Sequence, residues 1–236
     1  MSQRAVAALA PLPFELVYDD GEPLETEWHT LQIPLLQELI LRTMAERGRS
    51  DFFVGGNMFV YYSAEQARDV AKGRPYFRGP DVFWVGGVES GHLRKAWVAW
   101  EEGGRLPDVI VELLSPSTAE VDRSEKKDLY ARVFRTPEYY LVDPEAGKLE
   151  GFGLAGRSYR PLAPDESRLW SDQLGVFLGF WHGVWRRSEA DWVRLFRPDG
   201  SLVPTAEERA ETERRRAEAA EAEVARLRAL LEESER

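Results

Sequence analysis

One glutamate in this sequence stands where an acid is costly. In the run Val109-Ile110-Val111-Glu112-Leu113-Leu114 it interrupts an otherwise apolar, β-branched stretch that reads as a buried strand. A carboxylate in such a place needs a cation or a metal beside it. Two Pro-Asp pairs, Pro80-Asp81 and Pro107-Asp108, offer acidic partners. Asp108 shares a strand with Glu112, and at roughly 3.3 Å per residue the two lie about 13 Å apart. One divalent ion holds its oxygen ligands at about 2.0–2.6 Å, so these two cannot chelate it together. Asp108 therefore reads as a strand-entry or turn residue following its proline. Asp81 opens a different strand, DVFWVGG. If that strand pairs with 109–114, Asp81 and Glu112 become cross-strand neighbours within a metal's reach. The competing reading of Glu112 is a buried ion pair with an arginine.

A lysine joins this pair through helical geometry. After the break at SPST (115–118), Asp122 with Glu125 three residues on has the form of a capping box. The helix it opens runs to about Phe134 and ends before Thr136-Pro137. Its apolar positions are Leu129, Tyr130, Val133 and Phe134. At about 100° per residue, Lys126 falls near the centre of that face and Lys127 on its flank. Lys126 then points toward the sheet and Glu112, as a salt bridge, a snorkelling side chain or a member of a reactive cluster. An inward Asp, Glu and Lys suit metal-dependent phosphodiester hydrolysis. The carboxylates Asp81 and Glu112 would hold Mg²⁺, with Mn²⁺ as a substitute, while Lys126 orients water or neutralises developing charge. Tyr130, one turn on, belongs to the core with its hydroxyl within reach of the site. Ser115 and Ser117 have no histidine near them in sequence (29, 92 and 182) and are better explained by the turn and the helix entry.

These residues need a scaffold. The first helical pattern covers roughly 28–46, with Leu31, Leu35, Leu36, Leu39 and Ile40 on one face; Pro34 suggests that its regular part begins there, and Gly48 ends it. FFVGGNMFVYY (52–62) reads as two short extended pieces or one kinked strand, and AWVAWEEGG (96–104) as an edge piece. EYYLVD, KLEGFGL and RSYRPL continue as strands, the last two in a hairpin-rich edge. The strand–helix–strand passage over 107–143 predicts a crossover with parallel strands. Residues 165–203, rich in Trp and Phe, read as a peripheral layer packed on the core.

From Thr205 the composition shifts to a Gly- and Pro-free charged helix. Ala210, Ala217, Val224 and Leu231 fall seven apart, with Ala206, Glu213, Ala220 and Leu227 as a weaker seam. This predicts a short coiled coil and a homo-oligomer; the alternative is a lone solvated helix. The expected division is 1–204 for an α/β domain and 205–236 for the tail.

The net charge of −10 argues against a broad, non-specific grip on nucleic acid. Locally, Arg74, Arg78, Arg94 and Lys95 flank the first Pro-Asp. Arg123, Lys126, Lys127, Arg132 and Arg135 follow the second, so a basic cleft can still form; the competing reading is a set of scattered solvated charges. With no cysteine, disulfides, thiolate metal sites and cysteine nucleophiles are excluded. No apolar run approaches a membrane span, and MSQRAVAALAPLP resembles neither a signal nor a transit peptide, so the cytoplasm is the default location.

Taken together, GPDVFWV and LPDVIVELLSPSTAEVDRSEKKDLYARVFRTPEYYLVDP resemble the Uma-two family of endonucleases, in the PD-(D/E)XK or restriction-endonuclease-like superfamily. The likeness is dense from Pro80 to Pro144 and weak outside it. It implies an α/β fold with a mixed sheet flanked by helices, DNA as substrate, Asp81 as motif aspartate and Glu112 as motif acid. The superfamily lysine position holds Leu114, and Lys126 is the natural stand-in. Some family acids precede the sheet, and Glu25 or Glu27 could complete a metal shell, with His29 beside them. The alternative to a nuclease is a catalytically silent module of the same fold that binds nucleic acid or protein.

Overall fold

A computed structural model of the chain describes residues 13–17, 26–73 and 79–234. It divides into two compact units, Met1–Leu202 and Val203–Arg236. In chain order the first unit runs α1 (Glu27–Glu46), β1 (Phe52–Gly56), β2 (Val60–Tyr61), α2 (Ala64–Ala71), β3 (Val82–Gly86), β4 (Trp97–Val98) and β5 (Val109–Leu113). A helical segment α3 (119–134) follows, then β6 (Glu138–Asp143), β7 (Lys148–Ala155), β8 (Ser158–Pro161), β9 (Leu169–Ser171), β10 (Val176–Trp185) and β11 (Ser188–Phe196). The second unit is the helix α4 (Ala206–Ser234).

The main sheet has the order β1-β3-β5-β6-β7-β8. It is mixed: β5 and β6 run parallel through the α3 crossover, and their neighbours pair antiparallel. All five residues of β5 are buried, as its nearly unbroken apolar run requires. Strand periodicity divides the two faces. Phe83, Ile110, Tyr139 and Phe152 share one face and a core cluster with Tyr130 and Phe134 of α3. Gly56 lies on the other face, where a Cβ would come within 2.8 Å of Ile33 and Gln37 of α1. Only a glycine lets the helix approach so closely. The mixed sheet is thus flanked by α1 and α3.

The aromatic stretch forms a separate antiparallel sheet, β11-β10-β9. Gln32 of α1 locks onto it, donating to the Val193 carbonyl at 3.0 Å and accepting from the Val193 N–H at 2.9 Å. Trp28 stacks on Trp192 with ring centroids 6.2 Å apart. The peripheral layer is therefore pinned through α1.

Several local expectations change. α1 starts at Glu27, well before Pro34, because Thr26 caps its first turn and His29, Ile33, Leu36 and Ile40 bury one continuous face. α2 is a short helix that buries Ala67 and Val70, three residues apart; Ser63 caps it by accepting from the Gln66 N–H at 3.1 Å. β4 is not an edge of the main sheet but pairs in parallel with β2. Asp122 is no cap: helix begins at Ala119, out of a turn in which Ser115 Oγ lies 2.9 Å from Thr118 Oγ1. The Asp122 side chain is buried instead. Val133, expected on the inward face, is 47% exposed, whereas Ala131 is buried. Two wide π-helical turns, Asp122–Lys126 and Tyr130–Phe134, rotate that face relative to an ideal α-helix. Among the described residues, no helix is long and apolar enough to cross a membrane.

Candidate active site

β3 and β5 pair antiparallel with Val82 opposite Val111. One rung outward, Asp81 falls opposite Glu112 on the α3 side of the sheet. Asp81 Oδ2 accepts the Leu113 N–H at 2.7 Å, and Glu112 Oε2 faces the Asp81 N–H at 3.4 Å. The two acids therefore share one ladder position, as the cross-strand reading required. Glu112 has no exposed surface.

The helix supplies the counter-charge. Lys126 Nζ sits 3.2 Å from Glu112 Oε2 and 2.6 Å from Asp122 Oδ1. Tyr130 donates its hydroxyl to Glu112 Oε1 at 2.8 Å. Asp122, Lys126 and Tyr130 stand four residues apart, so a single stripe of α3 lines the acid pair. Tyr139, from the neighbouring strand, donates to the Asp122 carbonyl at 2.9 Å and ties that stripe to the sheet.

Electrostatics follow from burial. Loss of hydration pushes the Glu112 carboxyl up to about 8; Lys126 opposes this, while Asp81 and Asp122 add to it. Burial also raises Asp81, against Lys126 and the Leu113 N–H. For Lys126, burial works against the ammonium, but Glu112, Asp122 and Asp81 outweigh it and hold the side chain protonated. Three carboxyls surround one ammonium, so with all four groups ionised the cluster carries two surplus negative charges. In the bare protein, protons must offset part of that surplus. One divalent cation would offset all of it.

The residues fit such an ion in a restricted way. Among the described residues, no three His, Asp or Glu side chains converge closely enough to hold a metal by themselves. Asp81 and Glu112 supply two carboxylates and leave the rest of the shell to water or phosphate. That is the habit of Mg²⁺, which binds through one or two carboxylates and keeps several waters, rather than of a structural zinc site.

Other candidates separate cleanly. Asp108 accepts the Gly86 N–H at 2.8 Å and pairs with Arg105 at 2.9 Å, fastening β3 to the start of β5. Leu114 is buried in the core cluster, two residues along from Glu112 on the same strand face. Its place is filled by packing, and the ammonium arrives from α3. Glu27 is exposed in the first turn of α1, and Glu25 lies outside the described residues. His29 is buried, with Nδ1 2.7 Å from Thr26 Oγ1. Ser115 and Ser117 belong to the turn before α3, with their Oγ atoms 3.4 Å apart.

Several of the basic residues that flank the two Pro-Asp pairs are engaged by acids or rings. Arg94 is bound by Glu102 at 2.5 Å and stacked over Phe53. Arg123 pairs with Glu150, Arg132 lies 3.4 Å from Asp128, and Lys127 covers the Phe152 ring. Arg74 and Arg78 lie outside the described residues.

Asp122 was the functional candidate hidden in the sequence. Its place four residues before Lys126 was the available signal, because that spacing sets both side chains on one helix face.

No curated protein matches the sequence. Among solved structures, one described as a "putative nuclease belonging to DUF820" from Anabaena variabilis ATCC 29413 is 12% identical; the alignment covers 66% of this chain and 81% of that one, with a TM-score of 0.45. The family model Uma2, described as "Putative restriction endonuclease", matches residues 9–186. That span contains Asp81, Glu112, Asp122 and Lys126, and the chain belongs to the Uma2 family.

Proposed function

We propose that this protein is a Mg²⁺-dependent endonuclease that hydrolyses DNA phosphodiester bonds at the Asp81–Glu112–Lys126 cluster. One observation carries the reading. A fully buried glutamate faces a second acid across an antiparallel ladder and a protonated lysine from the packed helix. The surplus negative charge calls for a divalent cation, and family membership supports nuclease chemistry.

When bound, Mg²⁺ supplies a Lewis acid that polarises the phosphate and acidifies water. The chain's own groups do the rest. Asp81 and Glu112 present carboxylate oxygens from adjacent strands, and the Leu113 N–H and Tyr130 hydroxyl fix their orientation. Lys126 stays protonated, so it donates to the charge developing on the phosphate rather than taking a proton from water. Asp122 holds the ammonium in place. The reading places the protein with its DNA in the cytoplasm.

Purified protein should cut DNA in Mg²⁺ or Mn²⁺, and Asp81→Ala or Glu112→Ala should abolish the cutting. Cleavage that survives both substitutions rules the mechanism out. A second reading, a silent nuclease-fold module that binds nucleic acid or protein, is favoured by Leu114 in the superfamily lysine position and by a lysine already bridged to two acids. A silent module takes up no Mg²⁺ or Mn²⁺ through Asp81 and Glu112.

A further inference from the structure

The helix α4 has a surface unlike that of a solitary solvated helix. No residue from 206 to 231 is buried, yet Val224, Leu227, Leu230 and Leu231 are between 48% and 63% exposed. Heptad spacing orders these residues. With Ala210, Ala217, Val224 and Leu231 at the first core position, Glu213, Ala220 and Leu227 take the second, and Leu230 flanks the seam. The small residues permit close approach over the first turns, and the large ones supply burial over the last.

We propose that α4 pairs with α4 of a second copy of this chain as a parallel, in-register two-stranded coiled coil. Core chemistry favours this form. A β-branched Val at the first core position with Leu at the second selects paired parallel strands. In parallel register, Val224, Leu227 and Leu231 each meet their own kind. Reversing one helix so that Val224 meets Leu227 leaves Leu231 opposite Ala220.

The flanking charges complement one another in the same register. Parallel pairing brings Arg216 to Glu221 of the second copy, and Glu223 to Arg228 of the second copy. Like charges meet at two places, Arg209 with Arg214 on the flank and Glu213 with its own copy in the seam, where they lower the strength of the pairing. Within the single helix, Arg216 bonds Glu213 at 3.0 Å and Glu223 bonds Arg226 at 2.8 Å. Pairing exchanges these local contacts for cross-helix ones that fix register. The apolar seam is short, so association depends on protein concentration.

The test uses the full chain and sedimentation equilibrium, which reads the particle mass whether or not the protein is a nuclease. The expected mass is twice the 27.0 kDa of one chain at high concentration, falling on dilution. Leu227→Glu with Leu231→Glu should leave a monomer whose circular dichroism for the α/β unit is unchanged, since both side chains are already exposed. Arg216→Glu should weaken the dimer, and adding Glu221→Arg should restore it. Because the chain has no cysteine, Ala210→Cys reports direction cleanly. Oxidation should link it to itself in a parallel pair, whereas an antiparallel pair separates the two positions by most of the helix. A monomeric full chain, a dimer that survives the Leu227/Leu231 change, or an Ala210→Cys dimer that does not cross-link overturns the proposal.

Discussion

Two Pro-Asp pairs enter neighbouring strands of one sheet and meet different fates. Because β3 and β5 run antiparallel, Pro80-Asp81 and Pro107-Asp108 stand at opposite ends of the same ladder. At one end Asp108 finds an arginine and a backbone N–H and is fully occupied with fastening strands. At the other end Asp81 finds a second acid, Glu112, and the nearest cation comes from a helix. Identical dipeptides thus become a clamp and half of a charged site. The partner across the ladder decides which, and the motif alone does not.

The contrast can be broken first at Lys126. Removing the ammonium leaves Glu112 and Asp122 buried without their cation. Lys126→Met should destabilise the protein by about 3–5 kcal/mol and lower DNA cleavage on the order of 10²–10³-fold. Chemical denaturation and a plasmid-nicking assay would measure the two losses. If cleavage is retained while stability falls, Lys126 is a structural cation alone.

Protons sharpen the contrast next. Glu112 is raised to about 8 in the folded protein, above the roughly 4.3 of an unfolded glutamate. Its contribution to stability is complete below the unfolded value and is lost as pH rises through the folded one. Asp81, also raised, acts in the same direction. Metal-free protein should therefore lose stability between about pH 4.5 and pH 8, by an amount on the order of a few kcal/mol. Glu112→Gln should flatten that slope in urea titrations at several pH values. An equally steep slope in the variant would place the titrating group elsewhere.

The smallest effect belongs to the other end of the ladder. Asp108→Asn weakens a charged bond to Gly86 and Arg105, at a cost of about 1–2 kcal/mol, and should leave cleavage within a few-fold of the parent. A large loss of cleavage there would erase the distinction between the two dipeptides.

Much of this was written in residue types and spacing. Glu112 was legible because a charge in a buried strand has few tolerable explanations. Lys126 was legible because three- and four-residue spacing puts it on the inward face of a helix. The strands were legible from apolar runs and their turns, and the parallel β5–β6 crossover from the helix between them. Asp122 was misleading because an acid followed by another three residues later has the form of a capping box. Only tertiary packing, with helix beginning three residues earlier, shows it buried. Pro34 misled in the same way: a buried helix face outweighs one missing backbone hydrogen bond. The basic residues around the site could not be sorted from sequence, since acidic partners such as Glu102 for Arg94 and Glu150 for Arg123 lie beyond the reach of local helix or strand spacing.

The central claim is that Asp81 and Glu112 together receive a divalent ion and that Asp108 does not. Mn²⁺ binding, followed by electron paramagnetic resonance on metal-free protein, addresses it without relying on cleavage. One bound ion per chain is expected for the parent and for Asp108→Asn, with the signal of free Mn²⁺ persisting in Asp81→Asn and Glu112→Gln. Binding that is equal in the parent and in Glu112→Gln, or lost in Asp108→Asn alone, would contradict the assignment.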